Sequence, residues 1–155
     1  MKINFLTSPQ ALRYVNFLCS RHGLSPKVFS DWKWYHYQNT VFVISSSAAE
    51  SAPHMHGLNV YTLGVQAFTD AKNLIPTQNL VTLLGKHMTQ NIVTLSENQL
   101  LSFFSGKRLP REKIDTSRVL SNGHVAISDG SLVVGSATLN HQHLIPNLPP
   151  RVNRE

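Results

Sequence analysis

Apolar and polar residues follow the clearest pattern in the last third of the chain, residues 91–151. A short apolar run at 91–95 predicts a strand. The next residues, Ser96-Glu97-Asn98-Gln99, predict a capping box, in which Ser96 and Gln99 each bond the other's backbone N–H and so begin a helix. Gly106 is expected to end that helix in a left-handed conformation. The predicted apolar face of the helix consists of Leu100, Leu101, Phe103 and Phe104.

The pattern after this helix predicts a β-rich tail. Residues 123–128 and 132–135 are apolar stretches joined by Asp129-Gly130, which predicts a β-hairpin. The closing stretch, residues 140–151, contains three prolines, which forbid a helix and allow at most an edge strand.

The first part of the chain predicts two helices followed by a hairpin. Ser8 as N-cap, Pro9 in the first turn and a stop at His22-Gly23 define the first helix, and Ser25-Pro26 begins a short second one. The apolar stripe predicted for the first helix is Ala11, Leu12, Val15, Leu18 and Cys19. The hairpin is expected to join an aromatic-rich strand, with Trp32, Trp34, Tyr35 and Tyr37, to an apolar strand at 40–44. These aromatic side chains could stack on nucleic-acid bases, or fill the space between a sheet and its helices.

The middle of the chain continues the mixed pattern. A loop with one helical turn is expected at 45–53, and after Gly57 a second strand pair at 58–65 and 67–69. Residues 75–77 are expected to lead into a helix whose apolar residues are Leu80, Val81, Leu83 and Leu84. The chain as a whole is therefore predicted to be α+β, with two packed domains at residues 1–88 and 89–155.

The charge balance points to a polyanionic partner. The chain has 14 basic and 8 acidic residues, a net charge of +6 and a sequence pI near 9.8. Nucleic acid is the usual partner of such a protein, because lysine and arginine release counterions from phosphates on binding. The alternative is a basic protein whose charge serves no specific partner.

Composition also restricts the redox chemistry and the cellular location. The single cysteine, Cys19, excludes an intramolecular disulfide, and its place on a predicted apolar helix face favours a buried structural thiol. No segment has the roughly 18 consecutive apolar residues of a membrane span, and the first residues do not have the pattern of a signal peptide. A cytoplasmic protein is the expectation.

The order of these segments resembles a known tandem of domains. The stretches VFVISSS, GLNVYTLGVQAF, LIPTQNLVTLLG and NIVTLSENQLLSFFSGKRL are similar in order and spacing to a pre-PUA domain followed by a PUA domain. FFSGKRL is similar to the tyrosine-leucine-arginine-glycine helix end of that family, with Ser105 in place of the arginine, and HLIPNLPPR to its closing motif. Such tandems occur in the C-terminal region of Nol/Nop/Sun-family RNA cytosine-5 methyltransferases and in small ribosome-biogenesis proteins.

The resemblance implies a fold and a function. The fold would be an α/β pre-PUA-like domain packed on a PUA-like β pseudo-barrel that binds RNA. The chain has no glycine-rich dinucleotide-type fingerprint, and Cys19 does not follow a proline, so the methyltransferase half is missing. What is implied is a non-catalytic, cofactor-free protein that acts on rRNA or tRNA in RNA modification or ribosome biogenesis. Its partners would be RNA, and an RNA-modifying enzyme or ribosomal particle, with neither DNA nor a membrane expected.

In PUA-type domains RNA lies against the helix-to-strand loop and the last strand, which assigns candidate residues here. Gly106 would let the backbone approach a phosphate, and Arg108 could hold a phosphate or a guanine edge with its planar fork. Residues 101–118 contain five basic and two acidic residues, the densest positive stretch of the chain. The candidate RNA-binding residues are Lys86, Gly106, Lys107, Arg108, Arg111, Lys113, Arg118, Asn140, His141, His143 and Arg151.

Two histidine pairs and an aromatic hairpin leave alternatives open. His54 and His56, like His141 and His143, have the spacing that places both imidazoles on one face of a strand. Together they could bind zinc or copper, although phosphate or base contacts by the second pair are favoured. The alternative functions are therefore a histidine-dependent metalloprotein, and a protein-interaction module that docks a methyltransferase or ribosomal partner on the hairpin near Trp34.

Overall fold

The computed structural model describes residues 3–55, 63–70 and 72–148. These residues form four α-helices and ten strands in two sheets, so the predicted α+β class is confirmed. The chain divides into two compact units, Met1–Leu80 and Val81–Glu155, which are called unit 1 and unit 2 below. The domain boundary predicted after residue 88 stays a prediction.

Unit 1 is a four-stranded antiparallel sheet with helices. In chain order its elements are α1 (Ser8–His22), a 3₁₀ turn (Pro26–Phe29), β1 (Trp32–Tyr37), β2 (Thr40–Ser45), α2 (Ser46–Ser51), a 3₁₀ turn (Ala52–Met55), β3 (Val65–Asp70), β4 (Ile75–Pro76) and the start of α3 (Gln78–Leu84). The strands lie in the order β1-β2-β3-β4. Each strand therefore pairs with its neighbour in sequence, as the predicted hairpin over 32–44 requires.

Helix α1 begins and faces the sheet differently from the prediction. Its N-cap is Thr7 rather than Ser8, and Gln10 Oε1 accepts a hydrogen bond of 2.9 Å from the Thr7 N–H. The stop at Gly23 is confirmed by a left-handed φ of 67°. The buried residues of the helix are Tyr14, Leu18 and His22, whereas Leu12 of the predicted stripe is 52% exposed.

Aromatic packing explains why α1 is rotated. The Tyr14 ring stacks on Trp34 of β1 with centroids 5.7 Å apart, and it lies 5.2 Å from the ring of Phe68 on β3. On the other face of the sheet, Tyr35 stacks on Phe42 at 5.2 Å and packs near Ala49 of α2. Large aromatic side chains bury more area than the aliphatic stripe, so they set which helix face turns inward. The central aromatic residues of the hairpin, Trp34 and Tyr35, are thus buried and unavailable to stack bases or dock a partner.

The Tyr14–His36 contact predicts a measurable pH effect. The Tyr14 hydroxyl lies 2.7 Å from Nε2 of His36, and burial together with the nearby Arg13 guanidinium lowers the pKa of His36 below 6.5. A histidine with a lowered folded-state pKa stabilises the fold above the unfolded pKa, and that contribution is lost as pH falls through the folded value. We expect histidine NMR titration to give His36 a midpoint below 6.5, which Arg13→Gln raises. Lys33→Gln, on the opposite face of β1, should leave the midpoint unchanged.

Parts of the middle segment differ from the sequence prediction. The stretch expected to be mostly loop contains helix α2, which begins with the Ser45 side chain accepting from the Ala48 N–H at 3.3 Å. The helix predicted after residues 75–77 is present as α3, with Thr77 Oγ1 accepting from the Leu80 N–H at 3.1 Å, although Ile75–Pro76 also forms strand β4. Leu83 of this helix is exposed rather than part of the apolar core. Most of the strand predicted at 58–65 lies outside the described residues.

Unit 2 is built on a six-stranded sheet. Its elements after α3 are a 3₁₀ turn (Gly85–His87), β5 (Ile92–Thr94), α4 (Glu97–Phe104), β6 (Leu109–Pro110), a 3₁₀ turn (Arg111–Lys113), β7 (Asp115–Arg118), β8 (Gly123–Ser128), β9 (Val133–Leu139) and β10 (His143–Pro146). The strands lie in the order β6-β10-β9-β8-β5-β7, and all pairs are antiparallel except β5 with β8. The buried core consists of Val93, Leu95, Phe103, Leu109, Val125, Ile127, Ala137, Leu139 and Leu144.

The two edges of this sheet are joined by a very short piece of chain. Five strand spacings of about 4.8 Å would separate β6 from β7 by about 24 Å in a flat sheet. Yet β6 ends at Pro110 and β7 begins at Asp115, and five residue steps span at most about 18 Å. The sheet must therefore curl until its edges approach each other, which gives the pseudo-barrel that was predicted. We call the stretch Arg111–Ile114 the seam.

Strand β10 corrects the expectation for the proline-containing tail. It lies inside the sheet, between β6 and β9, rather than at an edge. Pro146 is tolerated because β6 pairs only with His143 and Leu144 of β10. Pro146, paired with Ala137 of β9, has no β6 partner on its other side and so needs no ladder N–H there.

Candidate nucleic-acid interface

The start of α4 anchors the seam. The predicted capping box is present: Gln99 Oε1 accepts from the Ser96 N–H at 2.9 Å, and Ser96 Oγ accepts from the Gln99 N–H at 3.4 Å. The same Gln99 side chain donates through Nε2 to the carbonyl oxygen of Lys113 at 2.6 Å. One glutamine therefore both begins the helix and holds the backbone of the seam.

The end of α4 projects two cations. Gly106 has a φ of 80°, its N–H donates to the Phe103 carbonyl, and the Lys107 N–H donates to the Ser102 carbonyl at 3.1 Å. These two bonds form a Schellman motif, which ends the helix and turns the chain back beside its last turn. Lys107 and Arg108 follow in exposed positions.

A cleft of about 800 Å³ lies where the seam meets the β9–β10 turn. Its lining residues are Pro110, Arg111, Glu112, Ile114, Thr116, His141, Gln142 and His143. Backbone pairing holds the two sides together, because Pro110 pairs with His143 and the Arg111 N–H donates to the Gln142 carbonyl at 2.9 Å. Three of the candidate residues, Arg111, His141 and His143, are thus brought into one concave surface.

Some of the hydrogen-bond donors of Arg111 are used within the protein itself. Its Nη1 donates to Asn122 Oδ1 at 2.6 Å and to the Asn140 carbonyl at 2.8 Å. Asn122 in turn lies 3.3 Å from the ring nitrogens of His141. Arg111 therefore holds the loop before β8 and the β9–β10 turn in place, in addition to giving the cleft a positive charge.

Asn140 has a structural role in the same turn. Its Oδ1 accepts from the N–H groups of Gln142 at 2.8 Å and His143 at 2.7 Å. An asparagine that bonds the backbone two and three residues later is a common way to close a tight turn. The Asn140 side chain therefore orients His141 and His143, and its position is not by itself evidence for RNA binding.

The remaining candidate residues are distributed unevenly. Arg118 is exposed two residues after Thr116 on β7, but it does not line the cleft, and its Nη2 donates to the Thr89 carbonyl at 3.4 Å. Lys113 is exposed on the seam. Lys86 is not brought to the cleft: the adjacent Gly85 packs against Val133 at the start of β9, about 20 Å along the strand from the β9–β10 turn. Arg151 lies outside the described residues.

The cleft also contains residues that sequence reasoning missed. Thr116, Gln142 and Pro110 line it, and Asn122 connects Arg111 to His141. Thr116 was missed because strand β7 has no apolar alternation, so its residues were counted only as a charged loop. Gln142 could have been inferred from its position between two candidate histidines.

Acidic groups limit the positive charge of this surface. Glu112 lines the cleft, and Asp115 begins β7. Hydrogen bonds from the backbone N–H and side chain of Ser117 lower the pKa of Asp115, so it is ionised at neutral pH. The cations at 107, 108, 111, 113 and 118 outnumber these two carboxylates.

The histidine pairs do not form a described metal site. His54 lies in the 3₁₀ turn Ala52–Met55 rather than on a strand, and His56 lies outside the described residues. Within residues 3–55, 63–70 and 72–148, no group of three or more histidine, cysteine, aspartate or glutamate side chains could hold a metal ion. Cys19 is half-buried on α1, and burial raises the pKa of its thiol.

No family model matches the chain, and no curated protein matches it significantly. Within the part of the chain that the structure describes, no helix is both long and apolar enough to cross a membrane.

Proposed function

We propose that this protein is a non-catalytic RNA-binding protein of PUA type that acts on structured rRNA or tRNA, in RNA modification or ribosome biogenesis. It would act in the cytoplasm, beside an RNA-modifying enzyme or a ribosomal particle. The family resemblance suggests this function, and the cleft at the seam is the observation that supports it best.

The cleft has the chemistry that RNA recognition needs. Side chains from the seam and from the β9–β10 turn line one concave surface. A hydrogen bond from the Arg111 N–H to the Gln142 carbonyl holds the two segments together. Arginine and histidine nitrogens can donate to phosphate oxygens, while Gln142 can bond base edges or a 2′-hydroxyl. The small apolar contribution of Pro110 and Ile114 suits the sugar–phosphate chain better than an extended apolar ligand.

The exposed cations outside the cleft extend the same surface. Lys107 and Arg108 directly precede β6, whose Pro110 lines the cleft, and Arg118 lies beyond Thr116 on β7. A cleft with exposed cations nearby in the chain fits backbone recognition, in which phosphate contacts supply most of the affinity and shape supplies the selectivity. We therefore expect stronger binding to a structured RNA than to the corresponding DNA duplex.

A charge placed inside the cleft tests this function. Thr116→Glu adds a carboxylate to the lining and should weaken binding of a fluorescent stem-loop RNA about tenfold, since like charges a few ångströms apart cost more than about 1 kcal/mol. Ser117→Glu makes the same change of charge on the opposite face of β7 and is the matched control. Fluorescence anisotropy at fixed salt measures both variants.

The two variants give opposite results if the proposal is correct. Binding should fall for Thr116→Glu and stay within about twofold for Ser117→Glu, with circular dichroism confirming that both remain folded. Equal affinity of both variants for the RNA would show that the cleft is not the binding surface. No binding of the intact chain to stem-loop RNA at low salt would overturn the proposed function itself.

A further inference from the structure

The exposed face of α4 carries an aromatic ring that the fold does not need. Phe104 is 45% exposed and Leu101 is 65% exposed, although the sequence pattern predicts both as core. Their neighbour Phe103 is fully buried, and Leu100 packs against the same core. The core is therefore complete without Phe104, whose exposed ring is left available to a ligand.

The Phe104 ring is held in a defined orientation. It is perpendicular to the ring of Phe103, with centroids 5.2 Å apart and planes at 84°. Edge-to-face contact is a preferred aromatic geometry and restricts the exposed ring. Phe104 thus presents a preorganised aromatic surface, which reduces the entropy lost when a flat ligand stacks on it.

The Schellman motif after Phe104 has a charged residue at a position where helix ends usually have an apolar one. In a Schellman motif the residue after the glycine is usually apolar and packs against the last turn of the helix. Here that residue is the exposed Lys107, and the residue it bonds in the last turn is Ser102. A Cβ at Gly106 would meet no heavy atom within 4 Å, so this stretch of backbone is open on its outer side. The motif therefore presents an approachable backbone and an exposed cation three residues after Phe104.

The size of the apolar patch distinguishes between possible ligands. A stable protein–protein interface buries about 800 Å² on each partner. A fully buried phenylalanine contributes only 150–250 Å², and two partly exposed side chains offer far less than an interface requires. One nucleobase, however, needs only one ring on which to stack, which contributes about 1–3 kcal/mol per base.

We propose that Phe104 stacks on one unpaired nucleobase of the bound RNA, while Lys107 and Arg108 bind the phosphates that flank that base. The ligand class is therefore RNA with an unpaired nucleotide, in a loop, a bulge or a single-stranded end. This inference rests on the proposed function and adds to it a base-stacking site on α4, outside the cleft.

Replacement of the ring provides the test. Phe104→Ala should weaken binding of a stem-loop RNA about tenfold while leaving the dependence of log K on log salt unchanged, because no charge is removed. Phe104→Trp keeps an aromatic ring and should bind the RNA as tightly as the intact chain does. The additional tryptophan fluorescence of this variant, compared with the intact chain, should be quenched when RNA stacks on the ring. Leu101→Ala removes an even more exposed apolar side chain from the same helix and should change the affinity less than twofold.

The RNA probe separates this inference from the proposed function. On a fully paired RNA duplex, Phe104→Ala and the intact chain should bind equally, since no unpaired base is present. RNA binding that Phe104→Ala leaves unchanged on the stem-loop as well would overturn the stacking site but not RNA binding. Equal losses for Phe104→Ala and Leu101→Ala would indicate a general apolar contact, such as a protein partner, and would also overturn it. Phe104→Leu keeps the apolar contact with Phe103, so a loss shared with Phe104→Ala cannot be attributed to misfolding.

Discussion

Replacing Lys107 and Arg108 together with alanine is expected to weaken binding of a structured RNA about 100-fold. Each cation can form a charge-assisted hydrogen bond to a phosphate, worth about 1.5 kcal/mol, and two such losses amount to about 3 kcal/mol. Because each phosphate contact contributes about 0.7–0.9 to the slope of log K against log salt, the slope should become shallower by up to about 2. Titrations at several salt concentrations measure both quantities.

The matched control removes the same charge elsewhere. Lys27 and Lys33 are exposed cations of unit 1. Replacing both with alanine gives the same net charge as replacing Lys107 and Arg108, which is called the loop variant. It should retain the slope and nearly all of the affinity. Identical salt slopes for the loop variant and the intact chain would show that the phosphate contacts are made elsewhere.

Replacing Asn91 with alanine is expected to destabilise unit 2 by about 2–4 kcal/mol. Asn91 is buried with a φ of 55°, and its Oδ1 accepts from the N–H groups of Leu120 at 3.0 Å and Ser121 at 3.3 Å. Alanine leaves these donors without their acceptor and costs about 1–2 kcal/mol in the left-handed conformation. Hydrogen exchange of the β8 amides measures this loss of stability in unit 2 directly. Tryptophan fluorescence would not report it, because both tryptophans lie in unit 1.

Two further substitutions of Asn91 separate the causes. Asn91→Gly removes the conformational strain but not the loss of the acceptor, so it should fall between the intact chain and Asn91→Ala. Asn91→Asp keeps an acceptor oxygen in a residue that tolerates positive φ, and it should cost less than Asn91→Ala. A loss below about 1 kcal/mol for Asn91→Ala would contradict the role assigned to these bonds. Since the same loop carries Asn122, Asn91→Ala should also weaken RNA binding through Arg111.

Local signals in the sequence predicted the helix ends and the hairpins. The capping box at Ser96 and Gln99, the stop at Gly106 and the hairpin over 32–44 are all present. Each depends on residues a few positions apart, so the necessary hydrogen bonds and dihedral angles are encoded within one short segment. For the same reason the α+β class could be predicted before the structure.

Helix faces were predicted less well, because apolar spacing does not say which neighbour a helix meets. In α1 the stack of Tyr14 on Trp34 turns the helix so that Leu12 is exposed. In α4 the core accepts Phe103, while Leu101 and Phe104 remain outside. A pattern of apolar residues gives the set of candidates, and the partner surface selects among them.

The sequence by itself determined the α+β class, the ends of helix α4 and the concentration of positive charge in residues 101–118. Only the tertiary structure decided that a strand without apolar alternation, β7, lies at one edge of the sheet and that β10 lies inside it. Those pairings curl the sheet and bring Arg111 to His141 and His143, about 30 residues later in the chain. The reason is physical: strand order depends on contacts between distant residues, which compete for the same edges, and no short segment contains the outcome of that competition.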